Sequence, residues 1–141
     1  MRPAQADFGH GPVQDSVLIL ARRTIGIHCF YIIIYMKPLC FVGSALAELR
    51  AFPADARRQA GFELDAIQRG FMPSDFKPLI TVGPGVYEIR IHVAGEWRII
   101  FIARRMEAIY VLHAFQKKSR ALSLSDLELA IRRYRSLQET R

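Results

Sequence analysis

Several kinds of chemistry are missing from this sequence. Its only cysteines, Cys29 and Cys40, lie in different kinds of segment with no metal-ligand spacing around them. That excludes a disulfide framework or a zinc knuckle and points to a reduced, cytoplasmic protein. No Gly-rich phosphate loop, nucleophile elbow, paired-carboxylate arrangement or metal cluster is present, so neither a cofactor nor a metal is expected. Long apolar runs are absent too: the charge-free stretch Ile25 to Tyr35 contains His28 and falls short of the about 20 residues a spanning helix needs. Arg22 and Arg23 imitate the charged start of a signal peptide, but no small-residue cleavage site follows.

What is present suits one compact globular domain: 141 residues, 51% apolar and 23% charged. Twenty Lys+Arg against 13 Asp+Glu leave a net charge of +7. A positive surface favours anionic partners, nucleic acid foremost, although charge sign alone does not select one.

"FYIIIYMKPL" (residues 30 to 39) reads in two ways. Its Tyr and Ile residues suit a buried strand. The codons for Tyr, Ile and Met also make "YIIIYM" an almost pure A/T string in front of a start codon. "MRPAQADFGHGPVQDS" before it has little periodicity. We therefore expect residues 1–35 to be translated upstream sequence, disordered or poorly packed, and residues 36–141 to form the domain.

From Met36 the pattern is regular. Pro38 to Val42 reads as a short strand, and Ser44 as the N-cap of a helix with Leu46, Leu49 and Phe52 on one face. A second helix starts at Pro53, buries Ala60, Leu64, Ile67 and Phe71, and closes at Gly70. "MPSDFKPL" reads as a loop. Four strands are then expected at Leu79 to Val82, Val86 to Val93, Trp97 to Ala103 and Ile109 to Phe115, in an antiparallel meander. Ser125 and Glu128 predict a capping box on a last helix that buries Leu127, Ile131, Tyr134 and Leu137. The expected fold is α+β: an N-terminal helical hairpin packed on a twisted antiparallel sheet, plus a C-terminal helix, with the helices on one sheet face.

In "VYEIRIHV", Tyr87, Ile89, Ile91 and Val93 point to the helices, and Glu88, Arg90 and His92 to the opposite, open face. A three-residue loop, Ala94-Gly95-Glu96, pairs His92 with Arg98 and puts Arg98 on that face; a two-residue loop would bury it unpaired at a cost of several kcal/mol. We take the three-residue loop. Lys77, His113, Lys117, Lys118 and Arg120 extend the basic set. Each also has a plainer reading: His113 as a satisfied core histidine, Lys117 and Lys118 as a solvated turn. Arg132, Arg133 and Arg135 read as the exposed side of the last helix.

"MKPLCFVGSALAELRAFPADARRQAGFELDAIQRG", "FKPLITVGPGVYEIRI", "GEWRIIFIAR" and "IYVLHAFQKKSR" resemble the RelE/ParE superfamily, most closely its phage-derived, HigB-like branch. The resemblance begins at Met36 and includes nothing before it. It implies the toxin of a type II toxin-antitoxin pair. Many such toxins cut mRNA in the ribosomal A site without a metal, whereas the ParE-like ones inhibit DNA gyrase. By the resemblance, Arg98 in G-x-W-R is the arginine that binds the scissile phosphate, Arg90 is the basic residue of the preceding strand with His92 two further on, and Lys117 and Lys118 follow the last strand. It also implies a cognate antitoxin of the helix-turn-helix, HigA-like kind. The C-terminal tyrosine used by RelE-type members is not carried over to Tyr134, which periodicity assigns to the buried face. Metal-free RNA cleavage needs a proton acceptor for the 2′-OH, a charge on the phosphorane and a proton for the 5′ oxygen. Arginines supply the second, and His92 or Lys117 the proton transfers, with Lys77, His113, Lys118 and Arg120 as RNA contacts. A detoxified, antitoxin-binding relic is the third reading.

Overall fold

The computed structural model describes residues 36–103 and 105–139. The expectation for residues 1–35 falls outside them. The elements are β1 (Leu39–Phe41), α1 (Ala45–Arg50), α2 (Ala54–Gln68), β2 (Phe76–Pro78), β3 (Val86–Ile91), β4 (Trp97–Ile102), β5 (Ile109–Gln116) and α3 (Leu124–Glu139). The fold is α+β, with one five-stranded sheet in the order β1-β5-β4-β3-β2. The sheet is mixed: β2 to β5 form an antiparallel meander, and β1 joins the edge of β5 in parallel, Leu39 beside Ile109.

β4 lies in the middle and all six of its residues are buried. Alternation splits them between two cores. Trp97, Ile99 and Phe101 face α1 and α2 with Ile89, Ile91, Leu49, Ala60 and Leu64; Ile100 and Ile102 face α3 with Val86, Leu112 and Ala130. The expectation that the helices share one face is corrected here. α3 carries its own apolar stripe of Leu127, Ile131, Tyr134 and Leu137, and the sheet has a second apolar patch to receive it. Phe101 is fully buried, and truncation to Ala would cost about 3–5 kcal/mol.

Other expectations shift as well. The first meander strand is Phe76–Pro78, inside the segment read as a loop, and residues 80–82 turn. As an edge strand that pairs only with β3, it tolerates Pro78 as its last residue. α2 ends as expected: Gly70 (φ +91) donates to Ile67 and the Phe71 amide to Ala66, a Schellman closure. Phe71 lies beyond that closure and is exposed rather than buried. α3 is capped by Ser123, whose hydroxyl accepts from the Asp126 amide (3.1 Å), in place of the expected Ser125 and Glu128. Ser44 precedes α1 but makes no side-chain cap bond; its hydroxyl donates to Glu48. No helix among the described residues is long and apolar enough to cross a membrane.

Candidate functional site

The α3 face of the sheet changes character along the strands. At one end Val86 and Ile102 lie under α3. Towards the other end the rows become Lys77, Glu88, Ile100, His113, and then Arg90, Arg98, Phe115, each residue set beside the next by the strand register. Alternation in "VYEIRIHV" produces that polar end, because Glu88 and Arg90 occupy positions whose neighbours in sequence fill the α1/α2 core.

The register differs from expectation. Ile91 pairs with Trp97 and Arg90 with Arg98, so the β3–β4 loop runs over five residues, 92 to 96, with Ala94 at φ +55. The slip is two residues. A shift of two leaves every side chain on its own face, so Arg90 and Arg98 share the polar side as anticipated.

That side is not an open cationic surface. Arg98 is only 4% exposed. Its two terminal nitrogens donate to the Trp97 carbonyl (2.9 Å) and to Glu96 Oε1 (3.1 Å). Glu88, 1% exposed, lies among three cations: Arg90 Nε at 3.6 Å, Lys77 Nζ at 3.8 Å and Arg98 Nε at 3.9 Å. Neither Glu88 oxygen nor Arg98 Nε has a hydrogen-bond partner among the described residues. Coulomb attraction in a poorly solvated place therefore holds the carboxylate, and the carboxylate in turn keeps three like charges together.

His92 is half exposed and clamped by two carboxylates. Its Nε2 lies 2.7 Å from Asp75 Oδ2, and its Nδ1 2.8 Å from Glu96 Oε2. The hydrogen bond to Asp75 and then that to Glu96 raise its pKa above the usual histidine value. Glu96 moves the other way, lowered first by the His92 hydrogen bond and then by that from Arg98. Asp75, His92, Glu96 and Arg98 thus form one continuous chain of charge-assisted contacts.

Beyond Glu96 lies an open groove of about 510 Å³ lined by Glu96, Arg98, Lys117, Lys118, Ser119 and Arg120. The Lys117 amide donates to the Glu96 carbonyl (2.8 Å), which fastens the residues after β5 to the β3–β4 loop. Among the described residues no ion pair engages Lys117, Lys118 or Arg120. The groove is therefore positive where it meets solvent, with a buried arginine at its base.

His113 sits elsewhere, 5% exposed, with Nδ1 2.8 Å from Glu48 Oε1 and Nε2 2.8 Å from Asp126 Oδ1. Arg133 donates to both Glu48 oxygens, to Ser44 and to the Leu112 carbonyl. Glu48 also accepts from the Ala114 amide at 3.2 Å, where β5 runs on past the end of β1. Burial pushes the Glu48 carboxyl up, but hydrogen bonds from His113 and Arg133 outweigh it and hold the group at about 2. His113 is the satisfied interior histidine of the two readings offered by sequence. Arg133 joins this network, not the exposed side of α3. Tyr134 packs on Gly83, where any Cβ would collide with its ring, far from Arg98 in the sheet.

Of the eight site residues chosen from sequence, Arg98, Lys117, Lys118 and Arg120 line the groove, Arg90 and Lys77 stand behind it around Glu88, His92 is linked through Glu96, and His113 lies apart. Asp75, Glu88 and Glu96 were missed as partners. Glu88 alternating with Arg90, and Glu96 four residues from His92, were the available signals. Among the described residues no group of three or more His, Cys, Asp or Glu is arranged to hold a metal ion. Residues 47–135 match the family described as Phage derived protein Gp49-like (DUF891). No curated protein matches the chain.

Proposed function

Because the chain belongs to the phage-derived Gp49-like family, itself part of the RelE/HigB-like toxin superfamily, we propose that it is the toxin of a type II toxin-antitoxin pair and a ribosome-dependent mRNA endoribonuclease of the HigB-like branch. The observation that carries the reading is the groove: one buried arginine, preset by Glu96 and Glu88, faces half-buried Lys117 and exposed Lys118 and Arg120, none of which has an acidic partner among the described residues. A phosphodiester laid there meets Arg98 at its base and Lys117, Lys118 and Arg120 along its sides. In the reaction the ribose 2′-hydroxyl gives up its proton to solvent as its oxygen attacks phosphorus, the bond to the 5′ oxygen breaks, and that oxygen takes a proton. Arg98 stabilises the extra negative charge of the phosphorane; its geometry is set before substrate arrives, which is where such stabilisation is largest. Lys117 is better placed than His92 to give the proton, since both His92 nitrogens are engaged by carboxylates. His92 then acts through Glu96 as a positioning residue. Arg90 and Lys77 lie with Arg98 around the Glu88 side chain, behind the groove. Residues 36–141 carry this function, in the cytoplasm, and a helix-turn-helix, HigA-like antitoxin restrains it.

The test is to induce the full chain in cells and map mRNA 5′ ends. In-frame cuts on translated messages, lost in Arg98→Ala, are expected; a toxic chain that leaves mRNA intact would overturn the nuclease reading. One observation favours a second reading. No described histidine lines the groove, and His92 and His113 each have both ring nitrogens engaged by carboxylates, which suits a toxin that binds without cutting, as a gyrase inhibitor does, or a detoxified antitoxin-binding protein. DNA damage with intact mRNA distinguishes the first of these, and absence of toxicity the second.

A further inference from the structure

Beside the cationic groove, and sharing Lys117, Lys118 and Ser119 with it, is a smaller cavity of about 250 Å³ whose other walls include Phe115, Ser123 and Asp126. We propose that it is a nucleobase subsite, which holds the base next to the phosphate bound at Arg98 and prefers bases that carry an amino group. The inference rests on the RNA reading above for the presence of that phosphate, and extends it to how a nucleotide is recognised.

Three observations on separate elements agree. The first is register: Phe115 on β5 stands directly beside Arg98 on β4, on the same face of the sheet. Directly opposed side chains in a sheet are about 5 Å apart at Cβ, the scale on which a nucleotide separates its phosphate from its base. The second is the wall itself. The Phe115 ring is stacked on His113, with centroids 4.6 Å apart and planes 22° off parallel. His113 is pinned at both nitrogens by Glu48 and Asp126, so the phenyl ring has a fixed backing. A fixed aromatic face is what single-stranded RNA bases stack on, at about 1–3 kcal/mol per base. The third is polarity: the cavity combines two cations that it shares with the groove, Lys117 and Lys118, and one carboxylate that it does not share, Asp126. Asp126 already accepts from His113 and Ser123, yet each carboxylate oxygen retains a second lone pair. A base edge that donates an amino hydrogen satisfies it, as cytosine N4 does with acidic side chains. Uracil offers no amino group. The size also fits: the cavity is below the roughly 300–1,000 Å³ of sites for drug-sized ligands and suits a single planar base.

Neither half of the device is isolated. Ser123 caps α3, Asp126 lies in its first turn, and the residues from Lys117 to Ser123 connect the base cavity to the phosphate groove along one wall. The arrangement reads one nucleotide with two adjacent compartments, one for charge and one for the ring.

The experiment is binding to the full chain of cytidine 5′-monophosphate, uridine 5′-monophosphate and ribose 5-phosphate, followed by NMR shifts and calorimetry. Cytidine monophosphate should bind at least about tenfold tighter than ribose 5-phosphate, in line with one stacked base, shift the Phe115 and His113 ring signals, and bind more tightly than uridine monophosphate. Phe115→Leu should remove the advantage over ribose 5-phosphate, and Asp126→Asn the preference over uridine monophosphate, with circular dichroism confirming that each variant is folded. Equal affinity for cytidine monophosphate and ribose 5-phosphate would overturn the proposal, as would ring signals that do not move. If both nucleotides bind alike, the amino preference fails. Messages cut in cells with no base-dependent binding would sink the subsite alone; base-dependent binding by a chain that cuts nothing would sink the nuclease and leave the subsite standing.

Discussion

Two histidines in this protein are each held between two carboxylates, and the two places behave differently. His113 lies inside, between Glu48 of α1 and Asp126 of α3, with Arg133 completing the network. His92 lies at the rim, between Asp75 and Glu96, half open to water. The contact lengths are nearly the same. What differs is solvent: inside, removing one charge strands the others in a poorly solvated space, whereas at the rim water replaces the lost partner. The inner clamp therefore joins three elements of the fold, and the outer one adjusts a side chain beside the groove.

The widest separation is expected from Glu48→Ala. It leaves His113 and Arg133 facing each other and frees the Ala114 amide, and should cost about 3–5 kcal/mol in urea denaturation. A loss under about 1 kcal/mol would mean the inner network is no more than a surface pair. Next is acid. Because the Glu48 carboxyl is lowered from 4.5 to about 2, its contribution is complete above the unfolded value and is lost as pH falls towards about 2. On the order of 2 kcal/mol should disappear across that window, discounted for the carboxyl's partial exposure, and urea midpoints in Glu48→Gln should show a flatter slope there. His92→Ala should come third, at roughly 0–1 kcal/mol, while under the nuclease function proposed above in-cell mRNA cutting should fall several-fold, because Glu96 loses its second tether. A stability loss as large as that of Glu48→Ala would erase the distinction between the two clamps. Smallest is the alkaline effect. His92 is raised above its usual pKa, so what its clamp contributes is present at low pH and lost as pH rises through that raised value. Urea midpoints should barely register this, but the His92 ring resonance should titrate above 6.5; titration at or below the free value would break the clamp assignment.

Much of the scaffold was legible because local pattern determines it. The all-buried β4, the closing glycine of α2 and the apolar stripe of α3 announce themselves within a few residues. The face of Arg98 was legible too, for a reason that survived an error: the loop is five residues rather than three, and only the parity of the slip matters. What escaped was long-range. Glu48 and His113 are 65 residues apart, and nothing near either foretells the other. The parallel pairing of β1 with β5 is of the same kind. β2 was hidden by prolines whose strand-breaking sense applies inside a sheet but not at its edge. In the site, positive charge was easy to count and its compensation by Asp75, Glu88 and Glu96 was not, since a carboxylate declares its partner only when the sheet places them side by side.

The parallel pairing has a kinetic consequence. Leu39 meets Ile109 across about 70 residues of chain, and closing a loop of that length costs roughly 4 kcal/mol of entropy, far more than the short turns of the meander. The hairpins of β3, β4 and β5 should therefore assemble first, with β1 and α1 arriving after the main barrier has been crossed. Glu48 arrives with them. Its substitution should then accelerate unfolding and leave the refolding rate almost unchanged in stopped-flow measurements. The inner network, on that account, governs how long the folded molecule lasts and has little say in how fast it forms.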